Sequence, residues 1–122
     1  MAGVVAGQFE GSAVISSDLI RGSVDLLVLD SVWDEPSYGY AISKRIDERA
    51  EQQYELKETT LYSAMRRLEK LGAVESFRGE QTQGRPRTYY RITEAGRQLY
   101  RDKCAEWRET NQLIERFIRG SE

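Results

Sequence analysis

At 122 residues, 39% hydrophobic and 31% charged, the chain is long enough for one domain with one core and too short for two. Eighteen Lys and Arg against twenty Asp and Glu leave a net charge of −2, so the overall balance points to neither nucleic acid nor an anionic surface. One cysteine, Cys104, excludes an intrachain disulfide framework and fits a reducing cytoplasm, and the absence of histidine removes the commonest general base and zinc ligand together. Residues 1–16 are small and glycine-rich and read as an extension ahead of the domain, with Val14 and Ile15 able to pack on a partner. They lack the basic start of a secretory signal, and no apolar run approaches the roughly 20 residues of a membrane span.

The spacing predicts a first helix from Ser17 or Asp18, either of which can cap it, to the region of Pro36. Ile20, Val24, Leu27, Val28 and Val32 form its buried stripe, and Leu26, Leu29 and Trp33 widen the apolar surface toward a second neighbour. A second helix is expected from Ser37–Tyr40, capped by Ser37, to about Ala50. Its core face is Tyr40 or Ala41 with Ile42 and Ile46, and Gly39 near its start implies a close approach, to helix one or to another surface. Tyr54–Lys57 is a connector with room for one extended rung.

A third helix, about Glu58 to Leu71, has the clearest two-sided pattern in the chain. Leu61, Ala64, Met65, Leu68 and Leu71 fall on one side and Thr59, Tyr62, Ser63, Arg66 and Lys70 on the other, with Gly72 as the stop. Ala73–Glu80 and Arg87–Thr93 have strand character, and alternation sends Tyr90 and Ile92 to the core. The polar GEQTQGRPR between them is an extended wing, bent at Gly84 and stiffened by Pro86 between Arg85 and Arg87. Thr93 caps a last helix running from Glu94 to about Arg119.

On that helix Tyr100, Cys104, Trp107, Asn111, Ile114 and Ile118 recur at alternating steps of four and three, a heptad seam that Leu113 and Phe117 broaden. A small domain has no core left to cover such a seam, so homodimerisation is the economical solution. The expected fold is mainly α with a small β-hairpin: a winged helix-turn-helix over 17–93 and a C-terminal dimerisation helix over 94–122.

Charge is unevenly distributed along this plan. Between Lys57 and Lys103 stand eleven basic and six acidic residues, while the rest of the chain holds seven basic and fourteen acidic. A nearly neutral protein can thus turn a basic face to phosphate. Arg66 has the fork to read guanine or grip phosphate, Thr59, Thr60, Tyr62 and Ser63 can donate to phosphate, and the Arg85–Pro86–Arg87 tip suits a minor groove or a phosphate clamp.

ETTLYSAMRRLEKLGAVES followed by GRPRTYYRITEAG closely resembles the PadR family of bacterial transcriptional regulators, and IRGSVDLLVLDSV and YGYAISKRI are similar to its first two helices. The resemblance runs from about Leu19 to Trp107. It implies a homodimeric repressor of inverted-repeat operators, without enzymatic activity or cofactor. It places DNA contacts on Tyr38, on Thr60, Tyr62, Ser63 and Arg66, and on Arg85 to Arg87.

The short tail resembles the subgroup with a single C-terminal helix, in multidrug-binding members of which a tryptophan from each subunit lines a pore at the dimer interface. Trp107 is the matching position, with Asn111 beside it on the seam, so a small aromatic effector is a further expected partner; the alternative is that Trp107 only fills space. A winged helix can also serve as a protein-interaction module without sequence-specific DNA binding. The chain offers no paired cysteines, glycine-rich phosphate loop or obvious carboxylate pair from which to build an enzyme site, and Asp47, Glu48 and Glu51 read as a solvated helix face rather than a metal site.

Overall fold

The computed structural model describes residues 15–82 and 85–120, with side chains at 80–85 excepted. The expectations for Val14, Gly84 and the Arg85 side chain therefore lie outside the described residues, as does most of the expected extension.

Among the described residues five α-helices and three strands follow one another as α1 (Ser17–Ile20), α2 (Val24–Ser31), β1 (Ser37–Tyr38), α3 (Gly39–Arg49), α4 (Glu58–Lys70), β2 (Val74–Thr82), β3 (Arg85–Ile92) and α5 (Glu94–Glu115). The single first helix expected from the sequence is instead two. A 3-10 turn over Arg21–Ser23 separates α1 from α2, the cap is Ser16, whose hydroxyl accepts from Leu19 N–H at 3.3 Å, and α2 closes at Ser31, well before Pro36. Gly22 sits within the 3-10 turn, where a poor helix former allows the tighter winding.

Ser37 does not cap the second helix. With Tyr38 it forms β1, paired antiparallel with Tyr90 and Tyr89 of β3, and Tyr38 occupies the N-cap position without a side-chain bond. The extended rung allowed for Tyr54–Lys57 is thus made by Ser37–Tyr38, and β3 becomes the centre of a sheet ordered β1-β3-β2. Tyr54 and Leu56 are buried instead in a connector without strand structure. The two long strands reach further toward each other than expected, to Thr82 and back to Arg85, with a bulge between Gly79 and Thr82.

The core is built where the periodicities predict. Val28, Leu29, Ile42, Leu61, Met65 and Leu68 are fully enclosed between α2, α3 and α4, and Val74 closes the sheet side. Of the alternatives Tyr40 and Ala41, Ala41 is half-buried and Tyr40 is 69% exposed, and Leu71, expected in the core, lies outside it at 61% exposed. Leu71 stands at the α4 C-cap beside Gly72, whose φ of +76° turns the chain away before Leu71 can reach the core.

Thr93 caps α5 as expected, accepting from Gly96 N–H at 3.0 Å while its hydroxyl donates to the Gly72 carbonyl at 2.6 Å. The helix closes at Glu115 rather than near Arg119. Its last turn tightens into Phe117 N–H to Ile114 carbonyl and Ile118 N–H to Glu115 carbonyl bonds, so Phe117 and Ile118 lie just past the last α-helical residue.

Candidate nucleic-acid interface

Helix α4 sorts its side chains as its wheel requires. Leu61, Ala64, Met65 and Leu68 are buried against α2 and α3, whereas Thr59, Tyr62, Ser63, Arg66 and Lys70 are exposed and Thr60 is half-buried at the edge. The exposed row is short and polar except for Tyr62, and it carries two cations on one face of a rigid helix. Such a face can lie in a major groove, with Arg66 long enough to fork onto a base edge.

The helix is tied to its neighbours at two points, and a third element approaches its exposed face. Arg67 donates to both oxygens of Asp25 on α2, which is buried. That hydrogen bond raises the Arg67 pKa further and outweighs the opposing effect of burial. Glu69 accepts from the Ser76 hydroxyl at 2.6 Å, tying the helix to β2. Tyr62 lies so close to Gly39 that a Cβ there would overlap its hydroxyl. The close approach that Gly39 implied is therefore made to α4, and it sets the start of α3 against the exposed face of that helix.

The sheet has two distinct faces because side chains alternate along β3. Tyr90 and Ile92 turn inward and pack on the core. Burial, helped by Glu69 and Tyr62 and opposed by Arg66, pushes the Tyr90 phenol above its ordinary range. Arg87, Tyr89 and Arg91 turn outward. There the Arg87 guanidinium lies 4.2 Å from the centre of the Tyr38 ring, Tyr38 meets Tyr89 edge-on at 5.4 Å, Tyr89 stacks on Phe77 at 5.7 Å, and Arg91 covers Phe77 at 4.3 Å.

Two of the residues expected to touch DNA, Tyr38 and Arg87, are therefore brought into contact with each other. Pro86 is exposed beside them on β3. Sequence reasoning missed this row because it rests on β1, a two-residue strand that leaves no periodic signal.

Beside the α4 N-terminus, a hollow of about 400 Å³ is lined by Arg21, Lys57, Thr59, Thr60, Ser63 and Arg67, among others. Lys57 and Arg21 are cations at this edge that the sequence did not single out. Arg21 also pairs with Asp18 at 2.9 Å.

The seam residues of α5 lie apart from this surface. Tyr100 is half-buried and packs tilted against the Trp33 ring at 4.8 Å, and Arg97 covers that Trp33 ring at 4.5 Å while donating to the Trp33 carbonyl at 3.1 Å. Burial, with a contribution from the neighbouring Cys104, raises the Tyr100 phenol pKa. Cys104 is half-buried, whereas Trp107, Asn111, Ile114, Phe117 and Ile118 are exposed. Trp107 and Asn111 share a hollow of about 350 Å³ with Leu19, Leu26 and Ile114, between α5 and the α1–α2 region. Among the described residues no helix is long and apolar enough to cross a membrane.

Residues 28–102 match the model of the PadR-like family of transcriptional regulators. The chain belongs to that family. It is 37% identical over 109 residues to an uncharacterised protein from Lysinibacillus sphaericus, covering 89% of this chain and all of that one. A transcriptional regulator from Clostridium thermocellum is 50% identical, with a TM-score of 0.80 over 87% of this chain and all of its own. The PadR of Bacillus subtilis, whose structure was determined with operator DNA, shares the fold: it is 20% identical, with a TM-score of 0.61 over 70% of this chain and 48% of its own. The family is one of transcriptional regulators, not of enzymes, and its match spans α4, the sheet and the first part of α5 in this PadR-like chain.

Proposed function

We propose that this PadR-like chain is a homodimeric, DNA-binding repressor whose affinity for an inverted-repeat operator is set by a small aromatic ligand at the subunit interface. The observation that carries the DNA reading is the polar face of α4, with Thr59, Tyr62, Ser63, Arg66 and Lys70 exposed together on a helix tied to α2 by Asp25 and to β2 by Ser76. The Bacillus subtilis PadR, which shares the fold, is itself bound to operator DNA. In this reading α4 contacts bases, Thr60 and Ser63 contact phosphates, and the hairpin with Arg85, Pro86 and Arg87 flanks the groove. The winged domain is 17–93 and the arm that pairs two of them is 94–122.

Pairing is supported by the exposed apolar residues of α5 and of the turn that follows it. Trp107 and Ile114 are each 51% exposed and Phe117 is 76% exposed, and Tyr100, Cys104 and Asn111 share their side of the helix. Trp107 and Asn111 line the hollow that would hold the effector, with the indole as a stacking surface for a flat ring. The effector acts by binding the DNA-competent and incompetent arrangements unequally. The cytoplasm, where the chromosome lies, is the setting that this role requires.

The deciding experiment is a fluorescence anisotropy titration of the inverted repeat from the promoter beside the gene. Arg66→Ala should weaken binding about 5- to 150-fold, the worth of one lost base fork. Equal affinity of the variant and the wild type in moderate salt would refute the assignment of α4 as the reading helix.

A further inference from the structure

The outward face of the sheet presents guanidinium groups and rings in an unbroken row: Arg87, Tyr38, Tyr89, Phe77, Arg91. Its members come from three strands and meet only because Tyr38 is paired across from Tyr89, and Phe77 across from Tyr89 on the other side. Gly79 completes the arrangement, since a Cβ there would overlap the Tyr89 ring. The two ends of the row differ. Arg91 is held by the Phe77 ring and by Glu75, whose carboxylate accepts from Nε at 3.3 Å. Among the described residues Arg87 is held by a ring alone, with its carbon 4.2 Å from the centre of Tyr38.

An arginine laid on an aromatic face has lost rotamer freedom before it meets an anion, and its N–H edges remain available, because the ring takes the flat face and leaves the fork free. Pairing with a carboxylate would consume the same N–H groups that a phosphate needs. The Tyr38 ring thus does for Arg87 what Glu75 does for Arg91, without neutralising it.

We infer that Tyr38 is a positioning residue: it acts on DNA through the face of its ring, by holding the Arg87 guanidinium in place for a backbone phosphate, and not through a contact of its own hydroxyl. The inference rests on the DNA-binding reading above and adds a division of labour between two residues on the same surface.

Two readouts test it together. The first is made on the free protein: the ring current of Tyr38 shifts the Arg87 δ-methylene protons upfield in the NMR spectrum, a shift that Tyr38→Phe keeps and Tyr38→Leu abolishes. The second is affinity for a random-sequence duplex across a salt series. Tyr38→Phe should bind as the wild type does. Tyr38→Leu should weaken binding about two- to fivefold, the worth of one exposed cation–ring contact. Arg87→Gln should lower the salt slope by about 0.9 per protomer, and adding Tyr38→Leu to it should cost nothing more.

An Arg87 shift that survives in Tyr38→Leu overturns the inference. So does a loss in Tyr38→Phe equal to that in Tyr38→Leu, which assigns the effect to the hydroxyl, or a further loss when Tyr38→Leu is added to Arg87→Gln. A wild-type chain that binds no duplex at all, with the ring-current shift present, overturns the DNA reading and this role with it, and is distinguishable from the other outcomes. Thermal unfolding of Tyr38→Leu separates loss of the contact from loss of β1, and the Phe variant carries the test if Leu does not fold.

Discussion

Arg67 on α4 forks onto Asp25 on α2, with Nη2 at 2.5 Å from one carboxylate oxygen and Nε at 3.3 Å from the other, across 42 residues of sequence. Asp25 has an 11% exposed side chain and Arg67 a 51% exposed one, so the pair is buried from the acid's side and wet from the base's. That asymmetry decides which partner matters.

Arg67→Ala strands a largely buried carboxylate without its donors, at a cost of about 1–3 kcal/mol. For a chain of this size that is a fall in Tm of about 4 °C per kcal/mol. Arg66, the exposed neighbour, should behave in the opposite way. Arg66→Ala is expected to leave stability within about 0.5 kcal/mol of wild type and to lose DNA affinity. Thermal unfolding and anisotropy on the two variants check the split, and similar behaviour of both would contradict it.

Two glycines that both look tight should respond differently to alanine. At Gly39 the added methyl meets the far end of the Tyr62 side chain, which can swing away, and alanine is the better helix former by about 1 kcal/mol. At Gly96 it meets the Ala73 carbonyl oxygen, which cannot move because it also accepts from Thr93 N–H at 3.0 Å. Gly39→Ala should therefore stay within about 1 kcal/mol of wild type while displacing Tyr62 on the reading face, and Gly96→Ala should lose about 1–3 kcal/mol or more to overpacking. Urea unfolding midpoints rank the pair. A Gly39→Ala variant less stable than Gly96→Ala would mean that Tyr62 is fixed rather than mobile.

Helices α3, α4 and α5 were legible in the sequence because each carries a long apolar period, whereas the break between α1 and α2 leaves none. Leu61, Ala64, Met65 and Leu68 are enough to place α4 and to say which side faces water. The cap at Thr93 and the stop at Gly72 were legible for the same local reason: one residue type suits one backbone requirement. What escaped was non-local. Nothing around Ser37 announces a strand, since β1 exists only through its bonds to β3, 51 residues away at Tyr38–Tyr89 and 53 at Ser37–Tyr90. The Arg87–Tyr38 contact and the Gly39–Tyr62 contact inherit that difficulty. The end of α5 lies about one turn before its expected place near Arg119 for a related reason, because the apolar periodicity continues to Ile118 although the α-helical bonding does not.

Stability should fall in alkali, and the sign follows from burial. Desolvation raises the phenol pKa of Tyr54, Tyr90 and Tyr100 in the folded chain above the ordinary value of about 10. Below pH 10 both folded and unfolded chains keep these protons, and the three contribute no pH dependence. Above it the unfolded chain releases them first, so unfolding gains and stability declines as pH rises toward the folded values. Urea midpoints measured from pH 8 upward should be flat and then drop, and Tyr54→Phe should blunt the drop. A midpoint that rises above pH 10 would contradict the burial of these groups.

The last expectation concerns how two reading heads act as one. Ile114 is half-exposed on α5 and belongs to no part of the core, so a charge there does not disturb the folded protomer. In the proposed dimer the same position lies on the seam with Trp107, where an aspartate would be stranded on an apolar surface opposite its own copy. Ile114→Asp is therefore expected to convert the dimer to a folded monomer, read by light scattering, with its helical circular dichroism retained. Two linked heads bind a palindrome with the second site at millimolar effective concentration, so the monomer should lose about 10²- to 10⁴-fold in affinity for the full inverted repeat and almost nothing for an isolated half-site. A dimer that persists in Ile114→Asp moves the subunit contact elsewhere on the chain, and a monomer that keeps full operator affinity removes the need for pairing altogether.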